Sequence, residues 1–246
     1  MEKLKEFYYK YNLLIIILYF PLYMLWFVWL EKRKVPYFEI HCKLDDIIPF
    51  NEYFIVPYMM WFAYVVIIVV LLGVKLSYMP WYKESFPLYN FFKNRSDRDF
   101  ALCSLQLILG MTISLIIFTV FPNCQNLRPE MLELDNFFAR VVAGLYKTDT
   151  STNVFPSLHV YNALVVNHWF CVSKSLNSSS NKVKVICQGI SVIICVMICL
   201  STMFLKQHSA LDVLGALVLF ALLRLVTEFN TIKKSDTVKK SNTSKQ

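Results

Sequence analysis

Residues 12–30, 53–74, 101–121 and 185–205 contain no Asp, Glu, Lys or Arg. Each is about the length a helix needs to cross the hydrocarbon core of a bilayer, roughly 20 residues. Two further stretches break the pattern sparingly. In residues 155–173 the only basic groups are His159 and His168, and residues 207–227 hold His208, Asp212 and Arg224. Arg224 is near enough to an end for its head to reach the interface. The chain as a whole is 57% hydrophobic and 17% charged, against about 25% charged in ordinary soluble domains. The expectation is an all-α polytopic membrane protein, six transmembrane helices in one bundle, spanning residues 1–230 as a single domain.

The first stretch is too long for a secretory signal, lacks a small-residue cleavage site and is followed at once by Glu31, Lys32, Arg33 and Lys34, so it is expected to stay. The net charge of +8 does not come as basic runs interleaved with aromatics, so nucleic acid is not expected as a partner. It follows the positive-inside rule instead. With the N-terminus in the cytoplasm, the segments 1–11, 75–100, 174–184 and 224–246 hold 17 Lys and Arg, and the opposite side holds 8. Four of those eight lie in 31–52, against the trend. The expectation is a cell-membrane protein with both termini cytoplasmic.

The Lys-, Ser- and Thr-rich residues 231–246 are expected to form a disordered basic cytoplasmic tail. SLNSSSNKVK, residues 175–184, is a polar turn between spans. In the long 122–154 connection, NFFARVVAGLY at 136–146 has partial helical periodicity, suited to lying on the interface or capping the bundle. Of seven cysteines, five fall in apolar spans as small hydrophobes. Cys42 and Cys124 fall in outer loops and could pair in an oxidising compartment.

The polar exceptions converge. Six spans put Arg128 just beyond the third, Ser157 and His159 at the opening of the fourth, and Lys206 and His208 at the opening of the sixth, all on one membrane face whichever way the chain is inserted. That face is expected to look outward. His208 and Asp212 are four apart, one turn on one helix face. The carboxylate can hold one imidazole nitrogen and fix the tautomer of the other. An ionised carboxylate a turn inside a membrane costs on the order of 2.5–3.5 kcal/mol, which His208 is placed to offset; the same pair could equally serve as a structural tie. Pro156 suits the first position of a helix, leaving the amides of Ser157, Leu158 and His159 as an anion site. A merely interfacial histidine fits as well. Arg128 offers a planar fork for phosphate.

At these residues the chain resembles the type 2 phosphatidate phosphatase superfamily, membrane relatives of the vanadium haloperoxidases. PSLH at 156–159 is similar to that family's P-S-G-H, with Leu158 in the glycine position. STMFLKQHSALD at 201–212 is similar to S-R-x5-H-x3-D, with Ser201, His208 and Asp212 in register and Thr202 in place of arginine. The first motif, K-x6-R-P, is reduced to Arg128-Pro129, because Phe121 stands at the lysine position. FPSLH with FLKQH looks closest to the inositolphosphorylceramide synthase-like branch. The resemblance covers roughly residues 100–225.

It implies a metal-independent phosphoryl transfer needing no cofactor, on a phosphorylated lipid drawn from the bilayer. His208 would be the nucleophile, Asp212 its orienter, and His159 the general acid and later base. Arg128, Ser157, Lys206 and Ser201 would hold the phosphate oxygens. No motif claims His41 or His168. Three functions remain in view: a lipid phosphatase with water as acceptor, a lipid phosphotransferase with an alcohol acceptor, and a non-enzymatic lipid-binding or transport relative.

Overall fold

Helices carry the apolar stretches, because in hydrocarbon every backbone N–H and C=O must be satisfied within the segment itself. The computed structural model describes residues 2–73, 96–129, 136–177 and 180–243. In chain order it contains α1 (Glu2–Lys32), β1 (Phe38–Glu39), α2 (Lys43–Ile47) and a turn of 3-10 helix (Glu52–Phe54). Then come α3 (Ile55–Gly73), α4 (Asp97–Val120), β2 (Asn123–Cys124), α5 (Phe137–Thr148) and α6 (Leu158–Val172). The chain closes with α7 (Lys174–Asn177), α8 (Asn181–Phe204) and α9 (Ala210–Thr243). Of the basic 75–100 connection, residues 75–95 lie outside the described residues.

Five segments among the described residues are long and apolar enough to cross a membrane: Tyr11–Lys32, Glu52–Gly73, Asp97–Val120, Asn181–Phe204 and Ala210–Thr227. The sixth expected span differs. Its helix, α6, has 15 residues, about 22 Å at 1.5 Å per residue, short of a hydrocarbon core about 30 Å thick. The shortening is at its start. Ser157 is the N-cap, its hydroxyl accepting from the amide of Val160, so Pro156 precedes the cap and does not open the helix.

What α6 lacks in length it makes up in burial. It packs against α3, α4, α8 and α9, and Val160, Tyr161, Ala163, Val165 and Val166 are fully buried. α1, by contrast, packs against α4 and leaves Leu18, Leu22 and Leu25 at 60–70% exposure, an apolar face suited to lipid. Polar side chains tie it on: the Tyr19 hydroxyl meets Thr112 Oγ1 at 3.0 Å, and Trp26 Nε1 donates to Thr119 Oγ1 at 3.1 Å. Such bonds are a common device between membrane helices, where apolar burial gives no preference for helix over lipid.

The end of the bundle that carries the motifs is closed by irregular chain. β1 pairs in parallel with β2, Phe38 opposite Asn123 and Glu39 opposite Cys124. Asn123 is the hub. Its side-chain oxygen accepts from the amides of Val154 and Phe155, and its carbonyl accepts from the amide of Asn153. Asn51 N–H donates to Phe204 O. The segments 33–54, 121–129, 136–157 and 205–209 therefore meet at one end, as the motif spacing requires. α5 caps it, packing Phe138, Val142 and Leu145 over Ile55, Tyr58 and Leu205.

At the other extreme α9 runs to Thr243, beyond the end of its apolar stretch. Extending a helix already nucleated adds one hydrogen bond per residue fixed and avoids the cost of a new nucleus. Composition alone does not register that continuity.

Gly110 on α4 sits where Tyr161 of α6 crosses. A Cβ there would lie 2.0–2.3 Å from the ring and hydroxyl of Tyr161, a side chain held in place by donating to Gln106 O at 2.6 Å. Gly110→Ala is expected to lower stability by about 1–3 kcal/mol, the usual cost of overpacking. Thermal unfolding in detergent measures it, and an unchanged midpoint contradicts this account of the α4–α6 contact.

Candidate active site

The turn between α8 and α9 carries the third motif. Gln207 and His208 both donate their amides to Thr202 O, at 2.9 and 3.0 Å, which folds residues 205–209 back onto the end of α8. Lys206 lies in the left-handed region at φ 52°, uncommon for a side chain with a Cβ. Both ends of the residue are bound. Its carbonyl accepts from Gln125 Nε2 at 2.9 Å, and its ammonium donates to Asp45 O at 2.6 Å and Ile48 O at 2.5 Å. Two of the three ammonium N–H groups of Lys206, the residue expected from sequence to meet a phosphate, are thus engaged by carbonyls of the α2 segment.

His208 and Asp212 form the anticipated pair. Nδ1 lies 3.3 Å from Asp212 Oδ2, and the same oxygen accepts from the amide of Ser209 at 2.9 Å. Asp212 is fully buried and its Oδ1 has no protein partner. With Nδ1 engaged, Nε2 is the free imidazole nitrogen of His208.

His159 comes to it from α6. The amide of Ser157 donates to Asp212 O at 3.1 Å, which stitches the start of α6 to the first turn of α9. The ring centroids of His159 and His208 are then 5.7 Å apart. α3 supplies the wall behind: Tyr58 and Trp61 lie 4.8 and 4.5 Å from the His159 ring, centroid to centroid.

Arg128 reaches the same neighbourhood but is largely committed. Nη1 donates to Tyr146 O at 3.2 Å, and Nη2 to Thr150 O at 3.0 Å and Gln207 Oε1 at 2.6 Å. The guanidinium also stacks over Tyr146 at 4.5 Å. Burial lowers its pKa, and the nearby Asp149, Tyr146 and Tyr58 oppose that, which leaves it charged. Only its Nε lacks a partner. The remaining expected phosphate ligands are engaged internally as well. The Ser201 hydroxyl donates to Ile198 O at 2.6 Å, the Ser157 hydroxyl caps α6, and the Ser157 amide is taken by Asp212. The free amides expected at this helix start are thus partly spent, because Ser157 is the cap.

Of the seven residues singled out from sequence, the structure joins His159, His208 and Asp212 directly and packs Arg128, Ser157, Lys206 and Ser201 around them as supports. Several neighbours carry no motif. Tyr58 and Trp61 sit in a featureless apolar span, Asp45 in the short helix α2 and Gln125 in a loop, and Asp149 accepts from the Tyr58 hydroxyl at 3.0 Å. Gln207 is 3% exposed. Because a guanidinium only donates, the Gln207 amide oxygen must face Arg128, leaving its Nε2 as donor; Nε2 has no protein partner. The two positions where the resemblance lacks a cation hold no substitute charge. Phe121 packs 5.3 Å from Phe38, and Thr202 bonds its own helix at Cys199 O. Among the described residues no group of three or more His, Cys, Asp or Glu is disposed to hold a metal ion.

Cys42 and Cys124 are separate thiols, and burial together with Glu39 pushes the Cys124 thiol up. His168 packs edge-on to Trp169 and Phe220 in mid-helix. The family profile of the PAP2 superfamily matches residues 104–231, and the chain belongs to that family of polytopic membrane phosphatases and phosphotransferases acting on phosphate esters. No curated protein and no solved structure matches it.

His41 lies apart from this cluster, 2.8 Å from Asp46 Oδ1 and solvent-exposed. The hydrogen bond to Asp46 raises its pKa above the ordinary 6.5, helped by the charges of Asp46, Asp45 and Glu39 against a small desolvation effect. A raised folded value means the pair stabilises fully below the ordinary histidine pKa and loses that contribution as pH rises through the elevated one. NMR titration of His41 is expected to give a midpoint above 6.5 that falls back in Asp46→Asn; an unshifted wild-type midpoint contradicts the pairing.

Proposed function

We propose that the chain is an integral membrane lipid phosphatase working through a phosphohistidine. The observation that carries this reading is the pair of imidazoles 5.7 Å apart, one with Nδ1 held by a buried carboxylate. In the first step the Nε2 lone pair of His208 attacks phosphorus while the bond to the lipid oxygen breaks. His159, in its protonated form, gives its proton to the departing oxygen. In the second step His159 takes a proton from water, the oxygen attacks phosphorus, and the N–P bond breaks back to His208. Such acid–base help is worth about 10²–10⁴ in rate. Asp212 offsets the charge that His208 gains and holds its tautomer.

Arg128 Nε, Gln207 Nε2 and Trp61 Nε1, the last on a ring packed against His159, are unpartnered donors in this cluster, available to the phosphoryl oxygens that carry the electrostatic burden of this chemistry. Ser157, Lys206 and Ser201 act on the site through its framework. The apolar, outward-exposed faces of the surrounding helices support a lipid donor, and the distribution of Lys and Arg supports cytoplasmic termini with the site on the outer face of a cell membrane.

A second reading is favoured by the charge inventory. Lys206 is bound to carbonyls, Phe121 and Thr202 replace two cations, and the Asp149 carboxylate lies near Arg128. So sparse a positive field suits a singly charged phosphodiester better than a doubly charged monoester. That fits a phosphotransferase resembling the inositolphosphorylceramide synthase-like branch, in which the alcohol leaves first and an acceptor hydroxyl replaces water.

Purified protein in detergent, supplied with phosphatidate, is expected to release inorganic phosphate without any added alcohol. Turnover only of a diester, and only with an acceptor present, decides for transfer. His208→Ala is expected to abolish either reaction, His159→Ala to lower the rate by about 10²–10⁴, and Asp212→Asn to lower it through the wrong tautomer. Full activity in His208→Ala overturns the phosphohistidine, and no turnover of either substrate by the wild-type protein leaves only the non-enzymatic relative standing.

A further inference from the structure

Asp45 lies in the short helix α2, outside the segment that the family profile covers, yet it is among the most thoroughly bonded side chains at the site. It is 3% exposed. Its carboxylate accepts from Ser209 Oγ at 2.6 Å, the Ala210 amide at 2.8 Å and the Cys42 amide at 2.8 Å. Two of these three donors belong to the turn that carries His208. From the other side of His208, Lys206 reaches back to the carbonyls of Asp45 and Ile48. The α2 segment thus grips the 205–210 turn on both sides of the histidine.

Ser209 is where the grip is transmitted. Its hydroxyl goes to Asp45 and its amide to Asp212 Oδ2, the oxygen that holds His208 Nδ1. Asp45 also stands at the amino end of α9, where a carboxylate meets the positive end of the helix dipole. Burial would raise its pKa, but the hydrogen bonds from Ser209, Ala210 and Cys42 outweigh that and hold it below the usual carboxylate range.

We propose that Asp45 is a positioning residue for His208, acting through Ser209 and Asp212, and that Lys206 is the opposing half of the same clamp and not a phosphate ligand. The proposal rests on the phosphohistidine reading and adds an element to it. A nucleophile on a five-residue turn between two helices has many orientations open to it. A misplacement of about 1 Å costs on the order of 10²-fold in rate, and the clamp removes that freedom. It also explains why the lysine can adopt a left-handed backbone: the side chain is anchored at its far end.

The test uses full-length protein in phosphatidylcholine vesicles with two readouts: turnover of dioctanoyl phosphatidate and of a phosphatidylinositol with ceramide, and site-resolved modification of His208 by diethylpyrocarbonate. Asp45→Ala and Lys206→Met are each expected to lower kcat at least tenfold with KM within twofold of wild type, and to raise the rate of His208 modification at least threefold. Ser209→Ala, a milder change that removes the hydroxyl's bonds to Asp45 and from the Leu211 amide and no charge, is expected to move both readouts the same way and serves if Asp45→Ala does not fold. Leu44→Ala, at an exposed neighbour in α2, is expected to change neither.

Unaltered His208 modification in Asp45→Ala and Lys206→Met overturns the clamp. So does a Lys206→Met enzyme whose kcat is unchanged while KM rises and inhibition by inorganic phosphate weakens, since that is the signature of a lost phosphate ligand. If His208→Ala keeps full turnover, it is the functional reading that fails, and the clamp is then judged on the modification rates alone.

Discussion

A carboxylate with no exposed surface, at the end of a bundle of apolar helices, is the constraint around which the site is arranged. Asp212 would be costly there if ionised and alone. Its Oδ2 is met by an imidazole and a backbone amide, and its carbonyl by the amide of Ser157. The last of these contacts also ties the start of α6 to the start of α9. The residue most expensive to bury thereby helps fix both imidazoles, His208 through its carboxylate and His159 through its backbone carbonyl. Unpaired, it would be destabilising; paired as it is, satisfying it and assembling the site are the same event.

The rest of the architecture supports that arrangement from both sides. Below, α6 is held by close packing, with Gly110 giving Tyr161 room and Trp169 donating to Gln106 Oε1 at 2.8 Å. Above, loops distant in sequence are knitted by side chains that bond backbone: Asn123 to 154 and 155, Gln125 to 206, Arg128 to 146 and 150. Loop backbone in a compact site has no ladder of its own, and each of its buried polar groups needs a partner. Asn, Gln and Arg supply those partners here, which is why cationic and amide side chains near the histidines are so fully occupied.

The helical bundle and the meeting of the motifs were legible in the sequence because each depends on a property that survives without coordinates. Charge-free length reports a span, and spans of known number fix which ends share a face. The His208–Asp212 pair follows from the four-residue spacing alone. What could not be read was where each donor spends its hydrogen bonds. Lys206 and Arg128 are visible in one dimension as charges near a histidine, whereas the carbonyls of Asp45, Ile48, Tyr146 and Thr150 that they bond are not. Tyr58 and Trp61 were hidden for a different reason, as aromatics in a span carrying no periodic signal to mark them as site rather than core. The start of α6 was read two residues early because Pro156 fits both a first helical position and the residue ahead of a serine cap.

With its side-chain cations so occupied, the site must draw on another source of positive potential if it is to hold a phosphoryl group as proposed. Two helices begin there, and each amino end carries the equivalent of roughly half a positive charge. That of α9 faces Asp45 and Asp212, so it is balanced by carboxylates. That of α6 is capped by a neutral hydroxyl from Ser157, and its first turn carries His159. A neutral cap satisfies an amide without cancelling the dipole, so the α6 end retains its field. The replacement of lysine by Phe121 and arginine by Thr202 is then offset by backbone, not side chain. A field of about half a charge, supplemented by Arg128, is matched more closely by one negative charge than by two, and it is on this balance that the choice between diester and monoester turns.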